Sequence, residues 1–587
     1  MPKINLSKNA LTILGNRYLI KNNKGKVIEK PEDLFRRVAK NIAQADAKYK
    51  NKNIKKTEEE FYNLMASLDF LPNSPTLFNA GRKLQQLAAC FVLPIEDDIS
   101  SIFKTLHDTA LIHKTGAGTG FNFSKLRPKG DIIESSGFTS GPVSFMKIFD
   151  AATEQIKLGG TLRGANMGIL NAEHPDIEDF ITIKSKENVL TNFNVSVAIN
   201  DKFIDAVKKN KNYNLINPRT KKVVKKESAK KIFKLICEQA WLNGDPGVVF
   251  IDKINEFNPT PKLGKVESTD SCGEQPLLPY ESCNLGSINL SNVVDNKRIN
   301  FEKLKRIIHT SVHFLDNVID MCDYPLKENR KIVEKNRKIG LGVMGFADML
   351  IKLEIPYDSE EGLKTAEEVM KFISKEASIA SMGLAAKRGA FPSWKDSTWN
   401  RKSRYFKGCH MLLRHATLTT IAPTGTISII ANVSSGIEPL FALSYIRKTA
   451  EGKTLIYFND ELKNSLKKYK LYNDDVVEKI NKEGSIQNIP EITQKLKKIF
   501  VVGSDIAPEW HVKMQAAFQK YVDNGISKTV TLPKDATVED VEKIFMMAHE
   551  LGCKGISVYR YGSREGQVIY LSSKRDEQIT LSGFFRK

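Results

Sequence analysis

The sequence predicts an α/β protein, and three observations carry that expectation. From about residue 69 to 440, short apolar runs alternate with glycine-rich turns and helical patterns. "LPNSPTLFNAG", "NVSVAI", "IGLGVMGFADML" and "TLTTIAPTGTISIIA" are the landmarks. Near the end, "SKTVTL" and "GISVYR" read as strands flanking a helix, a β–α–β unit whose two strands run parallel. Composition agrees, since 41% hydrophobic and 27% charged residues are the proportions of a folded globular chain.

Taken in order, residues 1–68 read as helical. "PEDLFRRVAKNIAQADAKY" has an amphipathic period, and Pro31 suits a first helical turn. Residues 69–565 read as the main α/β body, with a Lys- and Asn-rich surface excursion over about 450–500. In the final β–α–β unit, Thr537 and Asp540 predict a capping box. Val541, Ile544, Phe545 and Ala548 share one helical face, and Gly552 stops the helix. A short tail, 566–587, follows. No internal repeat or long low-complexity linker divides the chain.

Several function classes are disfavoured at this stage. Seven cysteines in 587 residues is sparse usage, which points to a reducing cytoplasm where paired cysteines serve chemistry rather than scaffolding. No signal peptide is read at the N-terminus. The longest stretch without a formal charge, 415–437, is too rich in Thr, Ser, Gly and Pro to span a membrane. A net charge of +21 raises the question of nucleic-acid binding. The lysines are spread along the chain, however, and no aromatic-interleaved basic motif accompanies them. Solvated faces explain them better, and the charge would help attract anionic nucleotides.

Three motifs remain to be weighed. "TGAGTGF" (115–121) fails the dinucleotide fingerprint, because Phe121 stands where a third glycine is needed, so it reads as a tight turn. "APTGTIS" (422–428) brings backbone N–H groups and two hydroxyls together after an apolar strand, which suits either a phosphate or an ordinary turn. Among the cysteines, Cys237, Cys322, Cys409 and Cys553 lie in apolar patterns and read as small core residues, and Cys90 by itself reads the same way. Cys272 differs. It sits in a polar, glycine-flanked loop with Glu274 two residues on and Cys283 eleven residues on. That spacing is not a metal-ligand pattern, and no metal set is read. A thiol beside a carboxylate fits acid–base or radical chemistry, whereas a hydrolase would need a histidine base that none of the nine histidines offers.

These residues, with "NSPTLFNAG", "HKTGAGTGFNFSKLRPKGD", "CGEQPLLPYESCNLGSINLS", "NRKIGLGVMGFADML" and "SSGIEPLFA", carry a resemblance over nearly the whole chain. The chain resembles the catalytic subunit of ribonucleotide reductases of the class II, adenosylcobalamin-dependent type. The resemblance implies a ten-stranded α/β barrel of two five-stranded halves with a central finger loop. It implies that Cys272 becomes a thiyl radical, that Glu274 is the base on the ribose 3′ hydroxyl, and that Cys90 and Cys283 are the reducing pair. Ser74, Ala89 and Gly118 match substrate-lining positions. Pro423, Thr424, Gly425, Thr426 and Ile427 match the diphosphate loop. Lys157 and Arg163 belong to a loop that links the substrate to a deoxynucleotide or ATP effector in a homodimer. A thioredoxin-like protein or a small thiol would be the reductant.

Departures from the family pattern add expectations. Asp270-Ser271 replaces Asn-Pro before Cys272, Leu162 replaces the first of two arginines, and His415 replaces Asn. Asp270 either faces Glu274 as a coupled carboxylate or turns away to meet a backbone N–H. No cysteine follows Cys553, so reducing equivalents are expected from another chain or a small thiol. Tyr559 and Tyr561 are separated by Arg560, unlike the adjacent tyrosines of class I relatives, and this favours cobalamin. The alternatives are a divergent nucleotide-binding paralogue and a class I-like large subunit that needs a radical-generating partner.

Overall fold

A computed structural model describes residues 4–50, 53–133, 137–158, 162–186, 188–448, 452–563 and 569–571. Its centre is a closed ring of staves. Nine are regular strands: β1 (Cys90–Val92), β2 (Gly118–Asn122), β3 (Asn166–Asn171), β4 (Phe193–Ile199), β5 (Gly247–Phe250), β6 (Ser282–Asn289), β7 (Ile339–Met344), β8 (Thr529–Leu532) and β9 (Gly555–Arg560). β1 through β5 are consecutive parallel neighbours. β6 with β7, and β8 with β9, are likewise parallel. The two sets meet antiparallel at β5–β9 and at β6–β1.

The tenth stave is 417–421. It closes the ring through single parallel bridges, Leu341 to Thr419 on one side and Ile421 to Ile526 on the other. The expected barrel of two five-staved halves is therefore present. This stave is irregular for a physical reason. The Asp523 carboxylate accepts the N–H groups of Leu418 (2.7 Å) and Thr419 (3.2 Å), taking donors that a regular ladder would use.

The helical N-terminal region packs on this body. Helix Pro31–Ala43 starts at Pro31 as expected and buries Leu34, Phe35, Val38, Ala39 and Ile42. Helix Val538–Glu550 carries the expected capping box between Thr537 and Asp540 and lies between β8 and β9 in the chain. The segment after β-strand Ser444–Lys448 builds a small core of its own around Leu462, Leu466, Val476, Ile480 and Ile486. The expected tail 566–587 lies outside the described residues apart from 569–571. No helix among the described residues is long and apolar enough to cross a membrane.

A buried ionic network joins the N-terminal region to the barrel. Asp316, on helix Phe301–Met321, accepts from Arg337, Arg388, Arg414 and His415. Arg388 also reaches Asp46 of the N-terminal region, as does His313. His415 thus serves this network and not the cysteine cluster.

Candidate active site

A hairpin enters the barrel between β5 and β6. Its two short strands, Ser268–Thr269 and Pro276–Leu277, pair antiparallel and leave 270–275 as the tip. Room for the hairpin comes from missing side chains. A Cβ on Gly120 would lie 1.7 Å from the Thr269 carbonyl oxygen, and one on Gly118 would lie 2.5 Å from Ser271 Oγ. The glycines of "TGAGTGF" therefore do more than turn the chain, because β2 must present bare backbone to the finger. The tip is then pinned. Gly525 N–H and Thr420 Oγ1 donate to the Glu274 carbonyl (2.9 and 2.8 Å), and Asn194 Nδ2 donates to the Ser271 carbonyl (2.7 Å).

Beneath the finger, Cys90 on β1 and Cys283 on β6 are direct register partners in the antiparallel seam. Directly opposed residues in such a pair have Cα atoms ~4.5–5.5 Å apart and side chains on one face. A disulfide spans ~4.4–6.8 Å, so this pair is placed to form one. Both are buried free thiols in one cluster with Leu277 and Ala422. The seam between the two half-barrels is what brings residues so distant in sequence together.

Cys272 is different again. Its side chain is solvent-exposed, although protein surrounds the finger tip that carries it. Burial, and then the charges of Glu274 and Asp270, push its thiol well up. Ser271 Oγ lies 3.7 Å from Cys272 Sγ, a contact that a proline there could not make.

The carboxylates converge on the same place. Cys90 Sγ, an Asp270 oxygen and a Glu274 oxygen all lie within 4.8 Å of one another. Burial and the charge of Asp270 raise the Glu274 carboxyl well above its usual range. Burial raises Asp270 too, opposed by hydrogen bonds from Cys90 and the Gln275 N–H. Asp270 makes the backbone contact without turning away from Glu274. One oxygen closes the finger by accepting from Gln275 N–H at 3.0 Å, while the carboxyl still faces Glu274. Glu274 Oε2 is buried with no hydrogen-bond partner among the described residues, which leaves an acceptor unused.

Other anticipated residues fall into place unevenly. Ala89 N–H donates to the Cys283 carbonyl, and the Ala89 carbonyl accepts from Gly118 N–H, so both line the seam. Ser74 opens a short helix, Ser74–Asn79. In the 423–427 loop, Thr424 adopts a left-handed φ of 51°, and its hydroxyl accepts Gly436 N–H at 2.8 Å. Lys157 and Arg163 are backbone partners in a small ladder, and residues 159–161 lie outside the described residues. Arg560 stacks on Trp241 at 4.0 Å, toward the outer helices, so strand alternation turns Tyr559 inward. Cys237, Cys322 and Cys553 are buried as expected, but Cys409 is exposed. Its apolar neighbours resembled a strand, yet 401–416 forms no regular element, and a loop leaves the thiol outside.

Comparison with known proteins settles the family. Residues 88–559 match the family model described as the ribonucleotide reductase barrel domain, and residues 4–85 match the ribonucleotide reductase all-alpha domain. The chain belongs to the ribonucleotide reductase family. It is 47% identical over 624 residues to the vitamin B12-dependent ribonucleoside-diphosphate reductase of Thermoplasma acidophilum, covering 96% of this chain and 80% of that one. It is 44% identical over 569 residues to the Mycobacterium tuberculosis protein of the same description, covering 97% and 81%. Among solved structures, the Actinobacillus ureae class Id ribonucleotide reductase alpha subunit superposes with a TM-score of 0.78 at 24% identity, over 95% of this chain and 97% of that one. At that identity the likeness speaks for the reductase fold. Sequence reading missed Asn194 and Tyr18, because no motif marks them; only their contacts with Ser271 and Ser74 do.

Proposed function

We propose that this chain reduces ribonucleoside diphosphates to 2′-deoxyribonucleotides by thiyl-radical chemistry, with adenosylcobalamin as its cofactor. The carrying observation is the placement of Cys272, Glu274 and Asp270 on one finger over the opposed pair Cys90 and Cys283. The fit to the cofactor lies at Cys272, whose open side leaves its sulfur reachable. When bound, adenosylcobalamin supplies the one-electron oxidising equivalent that Cys272 needs.

The Cys272 thiyl takes the 3′ hydrogen atom of the ribose and later returns it. Glu274 takes the 3′ hydroxyl proton and later returns it, the 2′ hydroxyl leaves as water with a proton from one thiol, and the hydrogen of the other goes to the 2′ carbon. Cys90 and Cys283 give two electrons and end as a disulfide, so one ribonucleotide and two thiols yield one deoxyribonucleotide, one disulfide and water. Ser74, Ala89 and Gly118 line the sugar, and residues 423–427 take the diphosphate on N–H groups and hydroxyls. Lys157 and Arg163 relate to the effector in a homodimer, and a thioredoxin-like protein or a small thiol re-reduces the disulfide. Deoxynucleotide formation by the purified chain with a dithiol is expected only when adenosylcobalamin is added. Activity that needs a second, metal-containing chain instead would contradict this.

Asp270 makes a pH prediction. The pair Asp270–Glu274 titrates as a unit with both carboxyls raised, and its singly protonated form has one donor and one base. As pH rises through the upper titration of the pair, the donor is lost and repulsion appears. The amide introduced by Asp270→Asn would donate at every pH and would remove the charge that raises Glu274. This variant should therefore have a broader profile, reaching higher pH because its donor persists and lower pH because Glu274 ionises earlier, and be at least as active near neutrality. pH–rate profiles check this, and superimposable profiles would refute it.

A further inference from the structure

We propose that Arg17 is a substrate-binding residue that takes the diphosphate charge of the nucleotide, an inference that rests on the assignment of 423–427 as the diphosphate loop. Residues Leu14–Tyr18 form a π-helical turn. Such turns are rare and are frequently found at functional sites. This one aims two consecutive side chains at two segments far away in sequence. Tyr18 Oη shares a hydrogen bond with Ser74 Oγ at 2.8 Å, and Arg17 Nη1 donates to Thr426 Oγ1 at 3.2 Å.

The turn is firmly held. Tyr18 is buried, its ring stacks on Phe78 with centroids 4.5 Å apart, and its carbonyl accepts from Arg82 Nη2 at 2.6 Å. The loop that Arg17 meets is built for an anion. The N–H groups of Thr424, Gly425, Thr426 and Ile427 donate to no backbone carbonyl among the described residues. A Cβ on Gly425 would meet no atom of the described residues within 4 Å. Arg447 flanks the loop on its other side, with Nη1 3.5 Å from the Gly425 carbonyl. A guanidinium offers five donors on a rigid fork, and phosphate is the group such a fork matches best. The same turn, through Tyr18, fixes Ser74, so one element aligns the sugar end and the phosphate end of the substrate.

The test compares wild type, Arg17→Gln and Arg17→Lys by calorimetric titration with a ribonucleoside diphosphate, inorganic pyrophosphate and the uncharged ribonucleoside, together with KM and kcat. Arg17→Gln should raise KM and weaken diphosphate binding about tenfold or more, as loss of a charge-assisted contact does. Pyrophosphate binding should fall in parallel, ribonucleoside binding and melting temperature should hold, and kcat should stay within about threefold. Arg17→Lys should fall between. Equal diphosphate affinity in wild type and Arg17→Gln would overturn the inference, as would equal loss for the uncharged ribonucleoside, which would mark Arg17 as a scaffold residue only. A wild-type chain that binds pyrophosphate and ribonucleoside diphosphate nowhere would instead overturn the loop assignment, and this inference with it.

Discussion

Replacing Cys272 by serine is expected to abolish ribonucleotide reduction while leaving the fold intact. The side chain is exposed, and its only described hydrogen-bond contact is with Ser271 Oγ at 3.7 Å. Serine therefore fits, and the stability change should stay within about 0.5 kcal/mol. The chemistry does not survive, because an O–H bond is too strong to stand in for S–H in a hydrogen-atom exchange with carbon. Deoxynucleotide formation should drop to background under conditions where wild type turns over, with an unchanged melting curve. Measurable turnover by Cys272→Ser would remove Cys272 from the centre of the account.

Replacing Asp316 by alanine should be the most damaging change to stability. The carboxylate is fully buried and accepts from three arginines and His415. Its removal leaves three neighbouring arginines with Asp320 on Arg337 and Asp46 on Arg388 as remaining counter-charges, and strips Arg414 of its carboxylate partner. Breaking a buried pair in this way costs about 3–5 kcal/mol. The loss should also detach the N-terminal region, since Arg388 bridges Asp316 to Asp46. The pH dependence follows. Burial alone would raise the Asp316 carboxyl, but the charge of Arg337, with His415 and Arg414, holds it well below its usual value. A depressed folded pKa contributes stability above the unfolded value of about 3.9 and loses it as pH falls further. Denaturant unfolding of wild type between neutral and acid pH should show that loss, and Asp316→Ala should be weaker throughout and flatter in acid. Equal midpoints for the two proteins would contradict the network's role.

Much of this was legible in the residues, for identifiable reasons. Glycines in "TGAGTGF" read only as a tight turn; that a finger from far along the chain packs against their bare backbone is a property of the closed barrel. The Cys272–Glu274 spacing is local and therefore visible. The Cys90–Cys283 pairing is not, since it depends on which strands meet at the antiparallel seam, and resemblance alone supplied it. "TLTTI" reads as a strong strand, yet Asp523, about a hundred residues on, takes its ladder donors and leaves an irregular stave. Cys409 failed in the opposite sense, because an apolar run without a sheet neighbour stays a loop. His415 looked like a departure near the chemistry and proved to be a partner of Asp316, a contact no spacing announces. Arg17 and Tyr18 sit in an ordinary amphipathic stretch, and only the π-helical turn reveals where they point.

The central claim is that the barrel seam turns Cys90 and Cys283 into the two-electron reductant beneath Cys272. A single turnover without external reductant, followed by thiol blocking and peptide mapping, tests it most directly. The account predicts one new disulfide per turnover, between the peptides of Cys90 and Cys283, with Cys237, Cys322, Cys409 and Cys553 still reduced. Recovery of Cys90 bonded to any other cysteine, or of both thiols intact after product has formed, would contradict it.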